Sequence, residues 1–241
     1  MDTLARAAAI GRLMKVLESK GFEVSQVSDP VEVGDIVAQI GKPYLTPMSA
    51  AASNDFTSGN YLPLVARKDG EPAMLGCARL EDLGHEPVDR FWQRVFSRTY
   101  GDASGKDVVG RVRPEVVRAV ARRLVYFGDL FVNPKFRGMS SSVREFVAIG
   151  HLAVSLKWDP DWIYCFIREK DMLRGAAVRY GFSATMPAPF EWLIDPPAPR
   201  DRSEVLALLS RDELPVVTQQ ALRSSEQRDQ IRPPERLQGT G

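Results

Sequence analysis

The sequence predicts an α/β domain built on a mixed sheet, and three observations carry that expectation. Apolar residues recur at helical spacing in some segments and alternate at strand spacing in others. Two strand-like runs, YLPLVAR (61–67) and AMLGCARL (73–80), flank a Lys68-Asp69-Gly70 turn, the signature of a hairpin. A strand-like run LVYFGDLFV (124–132) leads through Asn133-Pro134 into a long apolar segment from about Ser142 to Lys157, followed by WIYCFI (162–167). Strands alternating with helices in this way give an α/β sheet.

Taken in order, residues 3–20 read as a helix, with a stripe of Leu4, Ala8, Leu13, Met14 and Leu17, stopped by Gly21. FEVSQV (22–27) alternates as a half-buried strand. Asp29 and Pro30 open a short helix through Ile40, an acidic cap followed by proline at the first helical position. Residues 41–60 are irregular, with two Pro, three Ser and two Gly; so long a loop in a compact domain is often functional. Pro63 marks an edge position or a bulge in the first hairpin strand. Segments 88–100 and 113–123 are expected to be helical, separated by a polar loop at 101–107. The segment 142–157 is apolar on most of its circumference, as a buried helix is. Residues 170–180 form a helix closed by Gly181, and 182–194 form one or two strands interrupted by Pro187 and Pro189. A short helix is expected at 203–209, and from Arg223 the chain is polar, with the composition of a disordered tail. The expected organisation is a single domain over 1–195, with an insertion near 84–123, and an extension over 196–241.

Composition narrows the function classes. The chain has 241 residues, 32 Lys+Arg against 31 Asp+Glu, and a net charge of +1. That balance gives no basic footprint for nucleic acid. No apolar run approaches the ~18 residues of a membrane span. The only cysteines, Cys77 and Cys165, lie in separate apolar stretches, the pattern of reduced thiols in a cytoplasmic protein. The N-terminal stretch carries Asp2 and Glu18 and lacks a long apolar core, so it is expected to belong to the folded protein. No metal site is expected from two histidines and two scattered cysteines. GDASGKD (101–107) is one residue short of a phosphate-binding P-loop and has Asp107 where Ser or Thr must hold magnesium.

The segment GDLFVNPKFRGMSSSVREF (128–146) holds the clearest chemical signal. A strand runs into a loop of small residues and then a helix start. Converging backbone N–H groups and the positive end of the helix dipole suit an anion, and Arg137 stands next to the loop. An alternative use of the same groups is a capping box from Ser142 and Glu145.

This stretch resembles the GNAT superfamily of acyl-CoA-dependent N-acetyltransferases. Leu130, Val132, Pro134, Phe136, Arg137 and Gly138 match the family's strand and loop that hold the coenzyme A pyrophosphate; Ser140 and Ser142 stand where the family has glycines. The order strand, helix, hairpin, loop strand, helix, strand, and a helix ending in RYGF (179–182) extends the resemblance from Phe22 to Phe182. It implies a mixed, mostly antiparallel central sheet flanked by helices, and acetyl-CoA or another acyl-CoA as co-substrate. The implied binding residues are Leu130, Phe131 and Val132 along pantetheine, and Arg137, Gly138, Met139, Ser140, Ser141 and Ser142 around phosphate.

The activity implied is transfer of an acyl group to a small-molecule or peptide amine by direct attack on the thioester. This requires a base, a donor to the oxyanion and an acid for the thiolate. The tyrosine that many members use as acid is replaced here by Ala177, which leaves Asp129, Tyr126 and Tyr180 as candidate catalytic residues. His151 is expected to be a core histidine and His85 a surface one. Two alternatives remain: a non-catalytic acyl-CoA-binding module, and an enzyme like the acyl-homoserine-lactone or N-acyl amino acid synthases. The loops 41–60 and 84–123 are the expected acceptor-specificity elements.

Overall fold

The computed structural model describes residues 1–101, 105–136, 138 and 140–231. Helix α1 (Thr3–Glu18) is capped by the Asp2 carboxylate, which accepts from the Ala5 N–H, and buries Ala9, Leu13 and Leu17. Strand β1 (Phe22–Gln26) follows, then α2 (Glu32–Gln39). Asp29 does not cap α2 directly; its carboxylate folds a turn by accepting from the Val31 N–H, and the helix begins at Glu32. The hairpin is formed by β2 (Tyr61–Lys68) and β3 (Glu71–Asp82). β2 is an inner strand, and Pro63 stands where its ladder to β1 ends: its carbonyl oxygen accepts from the Val27 N–H, and with no N–H of its own it returns no bond.

The insertion comprises α3 (Val88–Tyr100), β4 (Val109–Val112) and α4 (Pro114–Ala119). Then come β5 (Arg123–Val132), α5 (Ser140–Trp158) and β6 (Trp162–Ile167). The helix expected at 170–180 is two single turns, α6 (Glu169–Met172) and α7 (Ala176–Arg179). Gly175 separates them with φ 77°, a left-handed conformation that ends one turn and redirects the next. The chain finishes with β7 (Ala184–Pro187), β8 (Phe190–Trp192), β9 (Val205–Ser210) and α8 (Leu214–Ile231).

Seven strands form one sheet in the order β1-β2-β3-β5-β6-β9-β7, and β4 pairs with β8 in a separate two-stranded ribbon. Among the described residues only β5 and β6 run parallel, and the other pairs are antiparallel. The sheet is mixed and mostly antiparallel, and the elements from Phe22 to Phe182 follow the order that the GNAT resemblance implies. One face is covered by α1, α5 and α8, packed on one another. On the other face α2 buries Val33, Ile36 and Val37 against Tyr61, Val65 and Leu75. Beside it an aromatic cluster joins Trp92 and Phe96 of α3 to Tyr164, Phe166, Phe190 and Trp192.

Two expectations about the C-terminal part are corrected. Residues 203–209 do not form a helix. VLALLS is β9, buried between β6 and β7. A short apolar run buried on both faces has no alternation to separate strand from helix. The polar stretch from Arg223 is not a tail as far as Ile231, because it continues α8. Its inward residues, Leu214, Thr218, Ala221, Leu222 and Ser225, keep helical spacing, but three are small or polar and leave little hydrophobic signal. Ser224 Oγ accepts from Arg144 Nη1 at 3.0 Å, tying α8 to α5. No helix among the described residues is long and apolar enough to cross a membrane.

Candidate active site

The site begins where two neighbouring strands part. β5 and β6 pair only through Leu124, Val125 and Tyr126 with Trp162, Ile163 and Tyr164. Beyond that point β5 stays paired to β3 and β6 stays paired to β9. A wedge therefore opens between residues 127–132 and 165–167.

Two cavities fill it. The inner one, about 230 Å³, lies against Tyr126, Gly128, Asp129 and Phe166, and is bounded by Lys42, Tyr44 and Thr46 and by Pro199, Arg200 and Glu204. The outer one, about 560 Å³, runs along Leu130, Phe131 and Val132 to Phe136, Gly138 and Val143 at the start of α5. Leu130, Phe131, Arg168, Asp171 and Tyr180 line both, so the two cavities are contiguous.

A bulge in β5 shapes the wedge. Leu75 pairs with Phe131 and Cys77 with Gly128, so Asp129 and Leu130 together face Gly76. Asp129 sits at φ 54°. Its carboxylate holds this conformation through several contacts: Oδ1 accepts from Lys42 Nζ at 2.6 Å and from the Thr46 N–H at 3.1 Å, and Oδ2 accepts from Thr46 Oγ1. Lys42 also donates to the Tyr44 carbonyl oxygen. The 41–60 loop is thus fastened to the bulge, and its far end is fastened by Asn54, which accepts from Arg79 Nη1 at 2.9 Å. Gly128 admits no side chain, because a Cβ there would fall within the Tyr126 ring.

The predicted residues fall into three groups. Asp129, Tyr126, Leu130, Phe131 and Tyr180 meet around the inner cavity, and Val132 and Gly138 line the outer one. Tyr126 is buried and Tyr180 partly so; burial raises both phenol pKa values, which keeps the protons on. Ser140, Ser141 and Ser142 form the first turn of α5, so none of them needs the left-handed backbone that glycine would supply. Ser142 lies within the helix and not before it, and Lys20 Nζ donates to the Glu145 carboxylate at 3.1 Å, so the two do not form the expected capping box. Arg137 and Met139 lie outside the described residues.

Sequence reasoning missed most of the charge at the site. Arg168, Lys170, Arg174 and Arg179 all line the outer cavity, against one acid, Asp171. Lys170, Arg174 and Arg179 make no ion pair among the described residues, while Arg168 is bridged to Asp171 at 2.7 Å. With the first turn of α5 opposite, these cations give the outer cavity the character of an anion site. A run of four cations on α6–α7 was visible in the sequence, but reads there as a solvated helix face.

Also missed was the buried Arg200–Glu204 pair, with Nε–Oε1 and Nη2–Oε2 both at 2.7 Å. The Arg200 guanidinium lies 4.4 Å from the Phe166 ring centre and is ringed further by Phe96, Tyr100 and Trp192. Burial raises the Glu204 pKa, partly offset by Arg200.

The histidines fall outside the site. His151 is buried on α5 between Phe127 and Phe182, and burial lowers its pKa to about 3. His85 is an exposed loop residue. Among the described residues no group of three or more side chains is arranged to hold a metal ion.

No protein-family model and no curated protein matches the chain. Solved structures with a partly similar fold include an agmatine N-acetyltransferase in its apo form, 14% identical, covering 79% of this chain and 99% of that one, with a TM-score of 0.49. Arabidopsis thaliana NAA60 in complex with a bisubstrate analogue is 12% identical over 78% of this chain and 97% of that one, with a TM-score of 0.45. FeeM, an N-acyl amino acid synthase from uncultured soil microbes, is 9% identical over 83% and 96%, with a TM-score of 0.46.

Proposed function

We propose that the chain is an acyltransferase of the GNAT type, which moves an acyl group from acetyl-CoA or another acyl-CoA to an amine. The observation that carries this reading is the parting of β5 from β6 in the middle of a continuous sheet. Backbone groups of β5 that would pair with a parallel neighbour face a cavity instead, and buried backbone groups need partners. Pantetheine is extended and carries two amides, so it suits the missing strand's place along Leu130–Val132. The cations of α6–α7 and the first turn of α5 stand at the outer end, where its phosphates would lie. The co-substrate would supply the activated thioester.

The remaining tasks fall to this chain's own side chains. Tyr180 lies at the junction of the two cavities with its proton held on by burial, which supports a role as donor to the departing sulfur in place of the tyrosine missing at Ala177. Tyr126 faces the inner cavity and is proposed as a donor to negative charge developing on the carbonyl oxygen. Asp129 is assigned an anchoring role: with Lys42 and Thr46 on its oxygens it holds the bulge and the loop, and it is not free to act as a base.

Full pairing of the carboxylates around the inner cavity also suits a second reading, a module that binds acyl-CoA without turnover. Calorimetric titration with acetyl-CoA, followed by a free-thiol assay over a panel of amines, separates the two. Binding with thiol release supports the enzyme, binding alone supports the module, and no binding refutes both.

A further inference from the structure

We infer that the inner cavity accepts an amine carried on a flat, uncharged aromatic body, and excludes polyamines and other acceptors with a second positive charge. The inference rests on the acyltransferase reading and specifies its acceptor.

Among the described residues six charged side chains line the cavity, and each is already matched. Lys42 pairs with Asp129 at 2.6 Å, Arg168 with Asp171 at 2.7 Å, and Arg200 with Glu204 at 2.7 Å. Two of these pairs are almost wholly buried. A cationic acceptor entering here would lose its hydration and find no unmatched carboxylate among the described residues to replace it. The aromatic faces are a weak substitute. Two of them are already taken, since Lys42 Nζ stands 4.7 Å from the Tyr44 ring centre and Arg200 lies 4.4 Å from that of Phe166, and an uncharged ring attracts an ammonium less than a carboxylate does.

What the cavity also offers is aromatic surface. Tyr44, Tyr126, Phe131, Phe166 and Tyr180 line it. Its volume of about 230 Å³ exceeds the ~150 Å³ that suffices to hold benzene in an apolar cavity. It has room for one ring and a short arm. The pairing of every carboxylate also leaves no obvious base, a lack that matters least for an arylamine. Its nitrogen shares its lone pair with the ring and is unprotonated at neutral pH.

The test measures kcat/KM with acetyl-CoA for p-toluidine, 2-phenylethylamine and spermidine, reading thiol release and product mass, with acetyl-CoA binding measured in parallel. The better aromatic amine is expected to exceed spermidine by at least about 100-fold, the scale set by leaving a buried charge unmatched. Spermidine turned over as well as the aromatic amines overturns the inference, as does acetyl-CoA binding with no turnover of either aromatic amine. In both cases the co-substrate reading survives. Failure to bind acetyl-CoA overturns that reading and the inference with it. In Lys42→Met, which leaves Asp129 without its cation, the aromatic-to-spermidine ratio is expected to fall roughly tenfold. A ratio unchanged in a folded Lys42→Met protein also overturns the inference.

Discussion

Replacing His151 with leucine tests how the interior of the fold responds to acid. Both imidazole nitrogens are buried with no hydrogen-bond partner among the described residues. The ring stands edge-on to Phe127 and Phe182, and burial takes its pKa from 6.5 to about 3. The folded state therefore resists the proton that the unfolded chain accepts. A basic group with a depressed folded pKa costs no stability above pH 6.5, and its cost grows as pH falls from there towards 3. Near pH 4.5 the unfolded imidazole is almost fully charged and the folded one neutral, a penalty of roughly 3 kcal/mol at about 1.4 kcal/mol per pH unit. Leucine is close to histidine in volume and carries no proton. His151→Leu should therefore match or exceed the wild type at pH 7, since two unsatisfied nitrogens are removed at about 1–3 kcal/mol each at most. The advantage should then widen by roughly 3 kcal/mol by pH 4.5. Urea unfolding of both proteins at several pH values measures it, and the difference curve cancels the carboxylates they share. A difference that stays flat from pH 7 to 4.5 would refute the reasoning, because it would mean the imidazole finds a proton or a partner inside the fold.

Three further outcomes follow from the site. Tyr180→Phe should lower kcat by about 10²-fold while leaving acetyl-CoA affinity within a factor of a few, as loss of a general acid does; stopped-flow thiol release and calorimetry read the two separately. Gly128→Ala forces the buried Tyr126 ring to move and should cost about 1–3 kcal/mol by urea unfolding, with the inner cavity distorted as well. The double variant Lys170→Ala, Arg174→Ala removes two cations that make no ion pair among the described residues. It should weaken CoA binding about tenfold or more and flatten the salt dependence of binding, with no loss of thermal stability.

Elements with a strong period were legible in the sequence. The hairpin announced itself through apolar runs around Lys68-Asp69-Gly70, and β5, α5 and β6 through their high apolar content. Segments that take their structure from distant partners were not. β4 is four residues long and exists because β8 lies beside it. β9 reads as helix or strand until β6 and β7 flank it. The site divides in the same way. Tyr126, Asp129 and Leu130–Val132 lie on one strand and were found together, whereas Lys42, Arg168, Arg200 and Glu204 come from three separate segments and meet only in space. Asp129 was legible as a residue of the site, but the Lys42 and Thr46 groups on its oxygens were not. No local pattern links residues 42 and 129.

The β4–β8 ribbon has a consequence for the order of assembly. Its two strands join Val109 to Trp192 with β5, β6 and β7 lying between them in the chain, whereas β2 and β3 are joined by a two-residue turn. Pairing so distant bears a high loop-closure cost until the strands between are in place. The ribbon and the aromatic cluster behind it should therefore form after the sheet, and loosen before it. In hydrogen exchange the amides of 109–112 and 190–192 would open at lower free energy than those of β3 and β5. The ribbon side of the molecule would then open more readily than the centre of the sheet, and be freer to change shape.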